Sequence, residues 1–406
     1  MIRIVGAAVL ACLGVASQAQ DFTGLARLDV THSVIEDSWG KTTVDLFLSQ
    51  PVPWRVFMLD DPRRLVLDFR EIDWRGADKA TLDQSDRVSD LRFGALRPGW
   101  SRMVVDLSDA MIVSQAGMQV NTVDGTARLT VNLSPSSDAD YAAAAGAPSD
   151  PGWDMLNTVD PTAPPVASVD DGILTVVIDP GHGGIDPGAE RDGLREADLM
   201  LQLAVEVAQT MNRMEGMRAV LTRQTDVFVP LEERISIARR SGADVLLSLH
   251  ADALDGDEIT SGASVYTLSD QAQEDASLRM AERHDRGDLL AGLDLTGQDD
   301  TVATVLMDLA RTETAPQSDT LADALVQALM DTNARVNSTP RREALLAVLN
   351  AADFPSALVE VGFLSNPHDR EALRSAEGRA RVVAGIVLAV QRWANSEAAK
   401  DALRRQ

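Results

Sequence analysis

Two histidines and two glutamates of this sequence have the residue types and positions that metal-dependent catalysis needs. His182 lies in the glycine-rich stretch "DPGHGGIDPG", and Glu196 follows it in "READLML". His250 ends the apolar run "DVLLSLH", and Glu360 lies inside "ALVEVGF". Two imidazoles and one carboxylate match a catalytic zinc site, whose fourth position stays open for water. The remaining carboxylate could serve as the general base that a zinc hydrolase requires.

The glycine-rich stretch could instead bind phosphate, but its spacing does not fit. Gly181-His182-Gly183 begins like a dinucleotide fingerprint, whereas Asp186 occupies the place of the third glycine. The Gly-Lys-Ser/Thr of a P-loop does not follow either. We therefore expect the glycines to permit a sharp turn that aims the imidazole of His182 over the sheet.

Other titratable residues near these motifs are not expected to bind the metal. Asp179 and Asp252 flank the two proposed histidine ligands, and either could orient an imidazole from outside the ligand set. For Asp179 the favoured role is turn formation. His32 and His368 lie in no comparable context and are expected to be ordinary surface or turn residues.

The elements that must position these residues follow from the hydrophobic pattern of residues 171–398. The run "ILTVVI" predicts a strand covered on both faces, and "EADLMLQLAVEVAQTMNRM" predicts an amphipathic helix. Further strands are predicted at "MRAVLTR", "ADVLLSLH", "ASVYTL" and "SALVEVGF", and helices at "LEERISIARR", "TLADALVQALM" and "RARVVAGIVLAVQRWA". This alternation predicts an α/β domain with a mostly parallel sheet flanked by helices. Ligands bind beyond the carboxyl ends of such strands, where His182, His250 and Glu360 are expected to meet.

The preceding part of the chain predicts a second domain, as its length of 406 residues also suggests. Val44, Leu46 and Leu48 fall on one face of "TTVDLFLS", and "RVFML", "RLVLDF", "RMVVDL" and "ARLTVNL" repeat the alternation. Residues 21–135 are therefore expected to form an all-β sandwich. Residues 136–170 are rich in Ser, Asp, Ala and Pro, which predicts a flexible linker.

The N-terminus predicts export. Residues 1–19 combine an early arginine, a short apolar run and a small-residue Ser17-Gln18-Ala19 pattern, which is typical of a cleaved signal peptide. The alternatives are a retained anchor and a lipoprotein site at Cys12, although the apolar run continues past that cysteine. Cleavage would leave no cysteine and no stable membrane span in the mature chain. The net charge of −25 argues against nucleic acid as a partner.

Four motifs, "VVIDPGHGGIDPGA", "READLML", "LLSLHADA" and "LVEVGFLSN", resemble those of the zinc-dependent N-acetylmuramoyl-L-alanine amidases in order and spacing. The resemblance covers about residues 173–396. These enzymes cleave the amide between N-acetylmuramic acid and L-alanine in peptidoglycan. The resemblance implies one Zn²⁺ held by His182, Glu196 and His250. It implies Glu360 as the catalytic carboxylate, which takes a proton from water and passes it to the leaving amine.

The N-terminal stretch "PWRVFMLDDPRRLVLDF" resembles the AMIN domain of periplasmic members of this family. That resemblance implies that residues 21–135 target the enzyme to the wall at the division septum, for daughter-cell separation. Two alternatives remain: a wall-binding protein that has lost its activity, and a zinc carboxypeptidase that acts on another peptide.

An insertion at about residues 270–318 predicts two helical pieces, "EDASLRMAERHDRGDLLAG" and "DDTVATVLMDLARTET". Cell-division amidases that this chain resembles carry a regulatory helix here, which places a side chain over the zinc until a LytM-type activator protein removes it. That side chain is usually a glutamate. In this sequence His284 occupies the corresponding position with Glu282 nearby, so both are candidate zinc blockers.

Overall fold

The fold is described from a computed structural model that covers residues 25–70, 72–97, 99–146, 172–254, 259–269, 301–351 and 353–404. The predicted signal peptide and the first part of the insertion, with Glu282 and His284, lie outside these residues and remain predictions. No helix within the described residues is long and apolar enough to cross a bilayer.

The N-terminal domain is an all-β sandwich, as predicted. The strands are β1 Ala26–Arg27, β2 Val34–Ser38, β3 Lys41–Leu48, β4 Trp54–Leu59, β5 Arg64–Arg70, β6 Ile72–Asp73, β7 Asp83–Gln84, β8 Val88–Arg97, β9 Trp100–Leu107, β10 Met111–Val120 and β11 Ala127–Pro135. One sheet has the strand order β10-β11-β3-β2-β7, the other has the order β4-β5-β9-β8, and β1 pairs with β6. Two short helices, α1 Lys79–Leu82 and α2 Asp138–Ala144, accompany them.

The alternation along each strand accounts for the sandwich. Val44, Leu46 and Leu48 point from β3 into one core, where they pack with Leu65 and other residues of the second sheet. All four side chains are at most 2% exposed. Because successive side chains of a strand point to opposite faces, Thr43 and Asp45 lie on the other face of β3.

Helix α2 lies in the segment predicted to be a flexible linker, and for these residues that prediction is wrong. The Ser137 hydroxyl accepts a hydrogen bond from the backbone N–H of Asp140 (3.1 Å), which caps the helix. The side chain of Tyr141 is completely buried, and its hydroxyl donates to the carbonyl of Leu59 at 2.9 Å. The N–H of Gly146 then donates to the carbonyl of Met58. Burial of one aromatic ring therefore extends the first domain to residue 146.

The second domain has the strands β12 Leu174–Pro180, β13 Glu190–Arg191, β14 Leu194–Arg195, β15 Met217–Leu221, β16 Val245–His250, β17 Ala263–Leu268, β18 Val336–Ala344 and β19 Ser356–Glu360. Six of them form a central sheet of order β15-β12-β16-β19-β17-β18. Neighbouring strands run parallel except at the antiparallel pair β17 and β19, so the predicted mostly parallel sheet is confirmed. The helices are α3 Glu196–Met211, α4 Leu231–Arg240, α5 Thr301–Asp331, α6 Pro367–Arg374 and α7 Ala376–Arg404, with a 3₁₀ turn at Ala347–Leu349.

Helices α3, α5 and α7 share one core with the sheet. Met200, Leu203 and Val207 of α3 are completely buried, as are Leu325 of α5 and Ile386 of α7. The predicted apolar stripe of α3 is therefore its buried face. This packing fixes the first turn of α3, where Glu196 lies, against the edge of the sheet.

Two elements of this domain differ from the prediction. Strand β18 was not predicted because its sequence, "VNSTPRREA", contains Pro340 and charged residues. The strand lies at the edge of the sheet, where the missing N–H of a proline is tolerated. Helix α5 continues through Pro316 and joins the second predicted piece of the insertion to the "TLADALVQALM" helix. A proline costs about 3 kcal/mol inside a helix. Buried residues such as Leu321 beyond the proline hold α5 against the core.

Candidate metal centre

Three neighbouring parallel strands bring the predicted site residues to one edge of the sheet. Strand β12 leads directly into His182, and His250 is the last residue of β16. Glu360 is the last residue of β19 and pairs with His250 in the sheet register. Glu196 begins α3 and projects into the same region. The common carboxyl edge of parallel strands therefore gathers residues that are far apart in the chain.

The spacing of three of these side chains fits a metal ion. Nε2 of His182 lies 3.3 Å from Oε2 of Glu196, and Nδ1 of His250 lies 3.1 Å from Oε1 of Glu196. One potential ligand atom from each residue lies within 4.8 Å of the others. Tetrahedral zinc with bonds of about 2.0–2.1 Å holds its ligand atoms roughly 3.3 Å apart. Both the donor types and their separations therefore fit zinc.

The loop that carries His182 has a left-handed backbone. The φ angle is +59° at His182, +127° at Gly183 and +61° at Gly184. A non-glycine residue in this region costs about 1–3 kcal/mol and persists only where its surroundings hold it. Nη2 of Arg234 donates to the carbonyl of His182 at 3.0 Å, and Nη1 donates to the carbonyl of Pro180 at 3.0 Å. This arginine thus holds the strained turn from the inside.

A second arginine holds the same loop. Nε of Arg223 donates to the carbonyl of Pro180 at 3.0 Å, and Nη2 donates to the carbonyls of Gly181 and Ala197, both at 2.8 Å. Its side chain is buried, and burial together with the nearby guanidinium of Arg234 lowers the pKa of Arg223 to about 10. Neither arginine was predicted as a site residue, because each lies in a stretch with the polar and charged residues of an ordinary surface, "LTRQTD" or "LEERISIARR".

Two glycines of the loop make room for the imidazoles. A Cβ atom on Gly181 would lie 2.2 Å from Cε1 of His250, and one on Gly188 would lie 2.6 Å from Cδ2 of His182. Real side chains do not approach so closely. The glycines of "DPGHGGIDPG" therefore serve the predicted turn and also clear the space in which the ligands meet.

Asp186 orients the first histidine. Its Oδ2 lies 2.7 Å from Nδ1 of His182, and its Oδ1 accepts the N–H of Gly188 at 3.1 Å. This contact leaves Nε2 of His182 directed toward Glu196. Burial alone would lower the pKa of His182, but the carboxylates of Asp186 and Glu196 raise it well above its ordinary value. Asp186, which excluded a dinucleotide fingerprint, is thus the orienting residue that sequence analysis missed.

Asp179, one of the two aspartates considered for that role, instead anchors a buried arginine. Asp179 is completely buried and accepts hydrogen bonds from Thr222 (2.5 Å), Ser248 (2.8 Å) and Arg234 (2.8 Å). It therefore anchors Arg234 rather than forming a turn. The backbone N–H of Asp252 donates to Oε2 of Glu360 at 3.0 Å.

Glu360 and Glu196 have opposite protonation tendencies. Both side chains are almost completely buried. Burial, reinforced by the charge of Glu196, raises the pKa of Glu360 to about 7. Burial would also raise the pKa of Glu196, but His182 and His250 lower it well below its ordinary value. Glu196 is thus suited to remain an anionic ligand, and Glu360 is suited to take up and release a proton.

Neither of the two remaining described histidines joins this cluster. The side chain of His32 is 65% exposed and contacts Asp29 at 2.8 Å on the sandwich. His368 lies in the first turn of α6, where its N–H donates to the capping oxygen of Asn366.

Comparisons with known proteins agree with the motifs. The profile of the N-acetylmuramoyl-L-alanine amidase family matches residues 176–392, and the AMIN domain profile matches residues 35–133. The amidase AmiA of Escherichia coli K12 is 34% identical over 256 residues, which cover 62% of this chain and 88% of AmiA. The amidase AmiC of Neisseria meningitidis serogroup B is 31% identical over 408 residues, which cover 94% and 92% of the two chains. The solved structure of amidase AmiC2 of Nostoc punctiforme covers 55% of this chain and 97% of its own, at 27% identity and a TM-score of 0.40.

The amidase profile covers more than half of the chain, and the matched segment contains all four residues gathered at the sheet edge. The AMIN profile falls within the β-sandwich. The resemblance drawn from the four motifs is thereby confirmed. The chain belongs to the N-acetylmuramoyl-L-alanine amidase family, as an enzyme that acts on peptidoglycan and carries an N-terminal AMIN domain.

Proposed function

We propose that this amidase depends on zinc, which would be held by His182, Glu196 and His250 while Glu360 acts as the general base. The observation that carries the proposal is the convergence of two imidazole nitrogens and one carboxylate oxygen within 4.8 Å. Zinc, when bound, would supply Lewis acidity to polarise the carbonyl of the scissile amide and to lower the pKa of the attacking water. The bond cleaved would be the amide between N-acetylmuramic acid and L-alanine.

The protein's own residues account for the proton transfers. Glu360, with a pKa near 7, takes a proton from the attacking water and delivers it to the nitrogen of the leaving amine. The N–H of Asp252 keeps the carboxylate of Glu360 in one orientation. Asp186 keeps the ring of His182 in the orientation that a ligand needs.

The proposal is tested by digesting purified sacculi with the mature protein and measuring its metal content. His250→Ala should lose both zinc and activity, because only two ligands remain. Glu360→Gln should retain zinc but lose activity by about 10²- to 10⁴-fold, the usual contribution of a general base. His32→Ala, on the exposed surface, is the control and should retain both.

Each outcome has a clear meaning. Near-normal hydrolysis by Glu360→Gln would refute its role as the base, and full activity without metal would refute the zinc dependence. Release of terminal amino acids from the stem peptide would indicate a carboxypeptidase. A zinc-loaded protein that binds sacculi and releases no product would be a wall-binding protein without activity.

We further propose that the enzyme is periplasmic, after cleavage of residues 1–19, and acts in daughter-cell separation. The AMIN domain would bring it to the wall at the division septum and raise its local concentration there. The insertion at about residues 270–318 would hold the enzyme inactive, with His284 or Glu282 over the zinc, until a LytM-type activator binds. The support for these proposals is the AMIN match and the resemblance to cell-division amidases.

A further inference from the structure

The AMIN domain contacts the amidase domain at the loop that carries His182. The end of strand β8, Gly94 to Leu96, lies against Gly184 and Ile185 of this loop and against Phe228. The backbone N–H of Phe228 donates to the carbonyl of Ala95 at 3.3 Å. The contact therefore joins the edge of the sandwich to residues that immediately follow a proposed zinc ligand.

Two glycines allow the two domains to approach closely. A Cβ atom on Gly94 would lie 2.5 Å from the carbonyl oxygen of Gly184, and one on Gly184 would lie 1.8 Å from the carbonyl oxygen of Ala95. Gly184 also needs glycine for its left-handed φ of +61°. Gly94 lies in a strand and has no such backbone requirement. The absence of a side chain at Gly94 is thus explained by the contact between the domains.

Apolar and ionic contacts surround the place where Gly94 and Gly184 meet. Ile185 and Phe228 are 1% and 4% exposed, and Leu96 of the AMIN domain packs against the cluster that they form. Nζ of Lys79 lies 2.8 Å from Oε2 of Glu190. The ion pair is partly exposed, so most of the stabilisation comes from burial of the apolar side chains.

These contacts complete the support of the zinc-ligand loop. Arg223 and Arg234 hold its backbone from inside the amidase domain, and Ile185, directly before Asp186, is covered from outside by Leu96. We propose that the AMIN domain docks through the end of β8 onto this loop and stabilises the metal centre, in addition to its targeting role. The docking itself is independent of the bound metal; its effect on zinc binding rests on the proposed function.

The first test compares two glycine substitutions in the full mature chain. Gly94→Val would place a side chain where the domains meet. Gly117→Val is the matched control, because Gly117 lies in β10 with no described atom within 4 Å of its Cβ position. Gly94→Val should speed amide hydrogen exchange of residues 183–190 at least tenfold. It should also weaken zinc binding by about tenfold, which is the lower end of the loss expected when the support of a metal ligand is removed. Gly117→Val should match the wild type in both measurements.

The second test measures docking without reference to zinc. A chain that begins at residue 20 contains no cysteine, since Cys12 is the only one in the sequence. Lys79→Cys combined with Glu190→Cys should therefore allow a short bismaleimide to link the two domains within one molecule. Adding Gly94→Val should abolish the link, and adding Gly117→Val should not.

The outcomes separate docking from its effect. If Gly94→Val unfolds the sandwich, as judged by circular dichroism, Leu96→Asp serves instead, because it places a charge in the apolar contact. Folded variants with wild-type exchange and cross-linking would overturn the docking. Loss of the cross-link with unchanged zinc affinity would overturn the stabilising effect on the metal centre. A wild-type protein that binds no zinc would refute the proposed function and leave the docking result unaffected.

Discussion

The orientation of His182 by Asp186 gives a prediction whose size follows from the structure. Oδ2 of Asp186 lies 2.7 Å from Nδ1 of His182, and its other oxygen accepts the N–H of Gly188. The substitution Asp186→Asn preserves the shape of the side chain and an acceptor for Gly188. It removes the negative charge of Asp186, which holds the imidazole of His182 in place and makes that ring more basic. The change therefore tests the orienting contact without opening a cavity.

The expected loss is about 10- to 100-fold in zinc affinity, which is the usual cost of removing the partner of a histidine ligand. This factor corresponds to about 1.4–2.7 kcal/mol of binding free energy. Screening by solvent should reduce this loss of binding free energy only slightly, because the side chains of His182 and Asp186 are only 12% and 11% exposed. The unfolding temperature of the zinc-free protein should stay close to that of the zinc-free wild type.

Zinc affinity is measured by competition with a chromophoric chelator at a fixed pH. Asp192→Asn is the matched control: Asp192 lies in the same segment, its side chain is 64% exposed, and asparagine tolerates its left-handed φ of +51°. The control should bind zinc within about twofold of the wild type. If folded Asp186→Asn also stays within twofold, the orienting role of this carboxylate is wrong.

Two further predictions concern stability. Arg234→Met should lower the free energy of unfolding of the amidase domain by about 3–5 kcal/mol in a urea titration, because the buried charge of Asp179 loses its partner. Adding Asp179→Asn should recover part of that loss. Tyr141→Phe should lower the stability of the AMIN domain by about 1 kcal/mol, measured by calorimetry, since it removes a buried hydrogen bond to Leu59.

Controls for both predictions lie close by. Arg240→Met, on the same helix as Arg234 but 45% exposed at its side chain, should change stability by less than about 1 kcal/mol. An Arg234→Met protein as stable as this control would contradict the anchoring role of the ion pair. A Tyr141→Phe protein with an unchanged transition would show that the hydrogen bond from Tyr141 to Leu59 does not stabilise the AMIN domain.

The sequence alone determined the class of both domains and the convergence of the proposed ligands. The alternation at Val44, Leu46 and Leu48 has a period of two, and the strand period places these side chains on one face whatever the partner strand. Likewise, parallel strands share a carboxyl edge, so His250 and Glu360 were expected to meet before their register was known. Such inferences succeed because they need only local periodicity and one rule of topology.

Tertiary structure alone decided which polar residues support the site. Asp179, Asp186 and Asp252 all lie within the motifs, and only the path of the loop brings Asp186 to His182. Arg234 reaches the carbonyl of His182 across 52 residues of sequence. Composition alone likewise could not show that Tyr141 folds back onto the sandwich.

Secondary structure could be predicted from the sequence and the supporting contacts could not, because the two depend on interactions of different range along the chain. Secondary structure follows from side-chain spacing within a few residues, which can be read directly along the chain. A hydrogen bond such as that from Phe228 to Ala95, or the contact of Gly94 with Gly184, depends on distances within about 1 Å between distant segments. Those distances are set only when the core packs and the strands take their register, so they belong to the tertiary structure.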